Sequence, residues 1–378
     1  MKMLVLGAGL QGTACAFDIL ENSDYSVTLA DTATAGLPDF LAAHDGERLT
    51  RIVLDVRDEA GVREVFREHD AVQSAIPYYF NDTLAGIAVE AGVHFADLGG
   101  NTEIVWRQKE LHERAIAGEV SITPDCGLAP GMVNVLAAEC IRRFDETESV
   151  KMFVGGLPAN PEPPLNYQIV YSLEGALDYY TTESWIVREG KPSTIDALSE
   201  LEEVVFEELG VLEAFHTAGG LSTMPWDYEG RVDSMEYKTL RYPGHAAIMR
   251  VIRDLGLLSN DPIDVRGTAV APRDVFIAAV DPVLRKPGSP DVVALKVVGT
   301  GRNDGDPASI EFELVDHYDD RLGISAMMRV TGFSLAITGL MQLDGRIGEA
   351  GVRTAAECTP FDDYVGELAA RGIAIVEK

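Results

Sequence analysis

Three glycines, in the run Gly7-Ala8-Gly9-Leu10-Gln11-Gly12, have the spacing of a phosphate-binding turn. The apolar run Lys2–Leu6 precedes them, and small and apolar residues at helical spacing follow over Thr13–Leu20. In such a strand–turn–helix unit Gly7 permits the tight turn. Gly9 lets the backbone approach a pyrophosphate, and Gly12 lets the helix pack closely on the strand. The helix N-terminus, with Leu10 and Gln11 in its first turn, then faces the phosphates. Asp31 stands nineteen residues beyond Gly12, at the end of the next apolar run. A carboxylate there accepts hydrogen bonds from both ribose hydroxyls and repels a 2′-phosphate. Thr32-Ala33-Thr34-Ala35 offers no cation to hold such a phosphate, so the pattern points to NAD rather than NADP.

Ligands of open α/β sheets sit beyond the carboxyl ends of the strands. That rule nominates Asp55 and Val56 beside the adenine, and Ala75, Ile76 and Pro77 along the middle of the dinucleotide. Tyr78, Asp97, Gly99, Asp125 and Cys126 then approach the nicotinamide end. Each of these can equally be a capping or turn residue.

The elements that must position these residues alternate. Strands are expected over Tyr25–Ala30, Arg51–Leu54, Ala71–Ile76, Val93–Phe95 and Val120–Thr123. Helices are expected over Asp58–Glu68, Asn81–Ala91 (closed by Gly92) and Ile104–Ala117. The alternation implies an α/β chain with a doubly wound parallel sheet over residues 1–125. A Gly/Pro-rich crossing, Cys126–Gly131, and a helix over Met132–Cys140 follow. The texture then turns strand- and turn-rich, in VKMFVGGLP (150–158), PPLNYQIVYS (163–172), WIVREGK (185–191), residues 263–270, VALKVVGTG (293–301) and ASIEFELVD (308–316). A second domain on a mixed or antiparallel sheet is expected over 126–332, with helices near Glu174–Tyr179 and His245–Leu255. Residues 333–378 carry helices over Gly332–Leu340 and Pro360–Arg371 and a strand over Ile373–Val376, expected to return to the first domain.

Composition removes whole classes of function. The 378 residues include 31 Lys plus Arg against 61 Asp plus Glu, a formal charge of −30. Such a surface repels phosphate backbones and anionic lipid headgroups, so neither nucleic acid nor membrane is an expected partner. No run approaches the ~20 apolar residues of a membrane span. The first glycines come too early for a signal peptide, and Cys15, Cys126, Cys140 and Cys358 show no paired spacing. A soluble, cytoplasmic protein is expected. The seven histidines form no ligand-spaced pair, so no metal site is expected. Carboxylates in such excess, with arginine the more frequent base, fit either a plain acidic surface or one adapted to high salt.

The segments VLGAGLQG, SAIPYYFN, FADLGGN, DCGLAPGMVN, GGLPANPEPPLNYQIVYSLEG, LEAFHTAGGLST and YKTLRYPGHAAIM run in order from the start to about residue 250. In them the chain resembles the saccharopine dehydrogenase-like family, most closely its lysine 6-dehydrogenase members. TLRYPGH together with DCGLAPG is the most specific pair. The resemblance implies a Rossmann domain, an inserted α/β catalytic domain and a homodimer. It also implies NAD(P)-dependent oxidation of an amine carbon of an amino acid. By the same resemblance Asp125, Cys126, Gly127, Leu128 and Ser172 lie near the cofactor. Thr239, Leu240 and Arg241 lie near the substrate carboxylate.

An amino-acid substrate brings a carboxylate, for which Arg is the natural bidentate partner. Arg241 sits among apolar and turn residues and reads as that clamp, or as half of a structural salt bridge. His245, just after Pro243-Gly244, reads as a general base or proton relay, or as a helix-start residue packed on the sheet. Tyr78, Tyr79, Tyr167 and Tyr171 either shape the pocket or pack within strands. An ammonium cannot release hydride from its neighbouring carbon, so the amine must first lose a proton. Asp97 or Asp125 can hold the cationic amine while His245 or water takes that proton. The expected activity is NAD-dependent oxidation of the terminal amine of L-lysine, a small cationic substrate, to a semialdehyde that cyclises. Two alternatives stand beside it. One is a glutamate-forming saccharopine dehydrogenase or related carboxyalkylamine-forming reductase; the other is a non-catalytic NAD-binding regulator.

Overall fold

The structure is a computed structural model that describes residues 1–33, 36–169 and 173–378. Two sheets organise it. The first contains β1 (Lys2–Leu6), β2 (Ser26–Asp31), β3 (Leu49–Val53), β4 (Ala71–Ser74), β5 (His94–Asp97) and β6 (Ser121–Thr123), all parallel. Both faces of a parallel sheet are covered, which is why its strands read as near-continuous apolar runs. From β1 the sheet grows one way through β2 and β3 and the other way through β4, β5 and β6. That reversal beside β1 is where a doubly wound sheet opens its ligand crevice.

The second sheet begins with β7 (Glu146–Pro158), β8 (Ser184–Arg188), β9 (Lys191–Ile195), β10 (Glu202–Phe206), β11 (Gly210–His216) and β12 (Val232–Arg241). A separate hairpin, β13 (Ile263–Val265) and β14 (Thr268–Val270), follows. The long strands β15 (Asp291–Asn303) and β16 (Asp306–His317) complete the main run, in the order β10-β11-β12-β7-β15-β16. Only β12 and β7 are parallel within it, so the sheet is mixed, as expected.

The C-terminal segment divides between the sheets. The helix read as Gly332–Leu340 spans Ala326–Leu343, because the Ser325 hydroxyl caps it by accepting from Met328 N at 3.1 Å. It is almost wholly buried and packs on the helix Leu10–Asn22, where a Cβ at Gly332 would stand 2.7 Å from Ala14 Cβ. β17 (Gly351–Val352) joins the first sheet beside β6. The last strand, β18 (Val376–Glu377), instead pairs with Phe312 and Glu313 of β16. The expected return of that strand to the first domain is therefore corrected. With β17 occupying the β6 edge, the open edge of β16 offers the unpaired backbone groups.

Three further expectations change. The helix expected over Ile104–Ala117 is two, Thr102–Lys109 and His112–Ala117, the first capped by Asn101 accepting from Ile104 N at 3.2 Å. Residues 163–169 are turn and coil, because Pro163 and Pro164 have no N–H for a ladder; residues 170–172 lie outside the described ones. Pro272–Leu284 is a helix that the strand-rich texture hid; it opens on a proline, buries Leu284 and packs the half-buried Phe276, Ile277 and Val280 against the same cluster. Among the described residues no helix is long and apolar enough to cross a membrane.

Candidate active site

The turn between β1 and the helix Leu10–Asn22 is built as its glycines require. Gly7 has φ +96°, and a Cβ there would stand 2.7 Å from the Ala75 carbonyl oxygen. A Cβ at Gly12 would overlap the Gly7 carbonyl, so these two positions serve close packing. Gly9 differs: a Cβ there would meet nothing within 4 Å. That open space lies at the start of the helix, where amide donors are unsatisfied and a pyrophosphate fits. Leu10 is exposed and Gln11 half-buried beside it.

Asp31 ends β2 beside this turn. Its Oδ2 accepts from Ala8 N at 2.7 Å and its Oδ1 from Thr32 N at 2.6 Å. Partial burial pushes its pKa up, but these hydrogen bonds outweigh burial and hold the carboxyl below its ordinary value. Asp55 pairs with the exposed Arg57 at 2.6 Å, and those hydrogen bonds hold it at about 2. Val56, Ala75 and Ile76 are half-buried and Pro77 is exposed along the carboxyl ends of β3 and β4. The loop, Asp31 and this rim fit a nicotinamide dinucleotide.

Two carboxylates stand at the other end of the crevice. Asp97 ends β5 fully buried, and its Oδ2 accepts from Gln108 Nε2 at 2.7 Å. Burial, then the charge of Asp125, push Asp97 up to about 7. Asp125 is buried in the left-handed region, φ 60°, with its N–H toward Asp97 Oδ1 at 3.4 Å. Its Oδ1 accepts from Gly100 N at 3.1 Å, while Oδ2 has no hydrogen-bond partner among the described residues. Burial pushes Asp125 up to about 6, against the nearby Ser222 hydroxyl, the Gly100 N–H and the charge of Lys109. Gly99 is required here, since a Cβ would run into the Asp125 carboxylate. Cys126, Gly127 and Leu128 are buried just behind; the Cys126 thiol donates to Thr123 O at 3.1 Å, and burial drives its pKa well up.

The second domain supplies the opposite wall. Alternation along β12 puts Tyr237, Thr239 and Arg241 on one face. Thr239 and Thr217 share a hydroxyl hydrogen bond of 2.7 Å. Leu240 faces the other way into a core cluster with Phe153 and Leu157; only its carbonyl reaches Arg241, accepting from Nη1 at 2.8 Å. The Arg241 guanidinium is buried over the Tyr167 ring, 4.8 Å from its centroid. His245 opens the helix His245–Asp254, and Glu213 secures that opening by accepting from Gly244 N at 2.9 Å and Ala246 N at 2.6 Å.

His245 is 2% exposed, with Nδ1 3.1 Å from the Leu165 carbonyl and Nε2 3.1 Å from the Tyr180 hydroxyl. A carbonyl only accepts, so Nδ1 carries the proton and Tyr180 donates to Nε2. Burial, then the charge of Arg241, depress its pKa to about 3. The ring is thus neutral and stacked on Phe215, an anchor beneath Arg241 with both nitrogens engaged. Tyr171 and Ser172 lie outside the described residues.

The walls meet through residues that sequence reasoning missed. Tyr179 lies within electrostatic reach of Tyr237, Asp125, Tyr78 and Asp178, and Tyr237 in turn of Arg241. A Cβ at Gly219 would stand 3.2 Å from both Gly100 O and Tyr179 Cε1, so the loop of residues 217–223 abuts the first domain. Ser222 lies beside Asp125. Arg273 is buried with Asp178 at 2.6 Å, and Lys109 bridges to Asp227 at 3.2 Å and Glu357 at 3.1 Å. The only advance signal was the glycine pair Gly219-Gly220, which announces a close approach.

The Saccharopine dehydrogenase NADP binding domain model matches residues 3–123, and the Saccharopine dehydrogenase C-terminal domain model matches residues 127–373. The saccharopine dehydrogenase [NADP(+), L-glutamate-forming] of Saccharomyces cerevisiae is 23% identical over 279 residues, 71% of this chain and 61% of that one. Its Pyricularia oryzae counterpart is 26% identical over 69% of this chain and 58% of its own. By sequence, then, the chain spans about six-tenths of these fungal relatives. The carboxyaminopropylagmatine dehydrogenase of Synechocystis is 22% identical over 98% of this chain and 96% of its own. The apo structure of the Saccharomyces cerevisiae enzyme superposes with a TM-score of 0.81 at 20% identity, covering 100% of this chain and 99% of that one, and so shares the fold. With a nicotinamide-nucleotide-binding half and a C-terminal half both matched, the chain belongs to the saccharopine dehydrogenase family.

Proposed function

We propose that this chain oxidises the terminal amine carbon of L-lysine with NAD, giving the semialdehyde and ammonia. Balanced, the protonated amine, NAD and water give aldehyde, NADH, ammonium and one proton. The observation that carries this reading is Arg241, buried on an aromatic face in the cleft wall. Among the described residues near the cleft, Arg273 pairs with Asp178 at 2.6 Å and Lys109 with Asp227 at 3.2 Å and Glu357 at 3.1 Å. One buried guanidinium matches a substrate with one carboxylate.

In this reading Arg241 holds that carboxylate, with Tyr167 fixing the plane of its guanidinium. Asp125 Oδ2 is directed to the cationic amine and takes a proton from it. Asp97, oriented by Gln108, keeps the Asp125 backbone in place and raises the basicity of the pair. Tyr179 and Tyr237 exclude water. The dinucleotide, held by Gly7, Gly9, Gly12 and Asp31, supplies the hydride acceptor. Asp31 supports NAD, because a carboxylate there opposes a 2′-phosphate.

The names of the fungal relatives favour a second reading: NADP-linked oxidation of a secondary amine that forms glutamate. Product analysis separates the two. Ammonia released in step with NADH from lysine supports the first; glutamate released from saccharopine, with lysine inert, overturns it.

A further inference from the structure

The back of β12 carries a cluster that the cleft does not use. Alternation sends Glu236 and Lys238 away from Tyr237 and Thr239, and the register pairs Lys238 with His216 of β11. His216 is fully buried. Its Nε2 stands 3.3 Å from Glu200 Oε2 and 3.7 Å from Glu236 Oε2. All three potential ligand atoms lie within 4.8 Å of one another. Glu200 reaches inward from a loop with Leu198 and Glu200 itself in the left-handed region, φ 61° and 47°.

We propose that Glu200, His216 and Glu236 bind a divalent transition-metal ion of the zinc type on the sheet face opposite the cleft. One nitrogen and two carboxylate oxygens from three chain segments are a donor set that zinc accepts, leaving one position for water. A tetrahedral ion with bonds of about 2.1 Å needs ligand atoms about 3.4 Å apart; the observed 3.3 and 3.7 Å bracket that spacing. Each carboxylate commits its other oxygen to a base. Glu200 Oε1 meets Arg188 at 2.5 Å, and Glu236 Oε1 meets Lys151 at 3.1 Å and Lys238 at 3.8 Å. These partners orient the ligands as outer groups do around a metal centre. Their positive charges also weaken the site, so they set a modest affinity rather than a permanent ion. An ion there ties β11, β12 and the loop of residues 196–201 together directly behind Thr239 and Arg241.

The test is equilibrium dialysis of the untagged full chain against Zn²⁺, with the visible absorption of Co²⁺ as the probe of geometry. One equivalent per chain and a tetrahedral Co²⁺ spectrum are expected. Glu200→Gln, whose side chain is 43% exposed, and His216→Gln should each weaken binding at least about tenfold. Binding that both variants retain, or a wild-type chain with no stoichiometric site, overturns the proposal.

Discussion

The guanidinium carbon of Arg241 stands 4.8 Å from the centroid of the Tyr167 ring, and His245 packs on the same tyrosine at 5.4 Å. A buried cation is costly unless its surroundings favour charge. The aromatic face compensates in part, and the neutral His245 adds no repulsion. In the proposed reading the substrate carboxylate meets the guanidinium from the cleft side.

Arg241→Ala should raise the KM for the amino acid by about 10- to 100-fold, the value of one charge-assisted hydrogen-bond pair. It should change kcat much less. Steady-state kinetics check this, and unchanged KM removes the clamp.

In the proposed reading Asp31 selects NAD over NADP. Asp31→Ser removes the carboxylate that opposes a 2′-phosphate, and also its hydrogen bonds to Ala8 and Thr32. The ratio of kcat/KM for NAD over NADP should fall by about tenfold or more. Titration of both dinucleotides measures it.

Asp125 must be ionised to take the amine proton, and burial puts its pKa near 6. Activity should therefore rise with pH through about 6. Asp125→Asn should lower kcat by about 100-fold or more, the scale of general-base catalysis, and abolish that rise. A variant with the wild-type pH profile would assign the proton to another group.

His245 predicts an acid sensitivity of the fold. Its folded pKa is about 3, below the ordinary 6.5, so the unfolded chain binds the extra proton. The neutral ring's contribution is complete above about 6.5 and shrinks as pH falls toward 3. From pH 7 to 5 this group should cost about 2 kcal/mol. Denaturant unfolding at both pH values should show that loss in the wild type and not in His245→Gln.

The parts legible in the sequence were the local ones. Gly7, Gly9 and Gly12 declare a turn by their spacing alone: Gly7 and Gly12 are required by close backbone packing, and Gly9 leaves open space at the helix start. The helix Asn81–Ala91 with Gly92 at φ 72° is read correctly because its stop is a single left-handed residue. The cleft was half legible: Asp97, Asp125 and Arg241 carry chemistry in their types. Tyr179, Tyr237, Ser222 and Arg273 belong to it only through tertiary packing, for which no spacing rule exists. The same holds for β18, placed by an open edge of β16, and for His216, whose partners lie sixteen and twenty residues away on other segments.

The central claim is the substrate. The most direct measurement is kcat/KM of the untagged chain with NAD for L-lysine and for saccharopine, side by side at pH 8. The account predicts turnover of lysine with a kcat/KM at least about tenfold above that for saccharopine. Preference for saccharopine, or turnover with NADP alone, would contradict it.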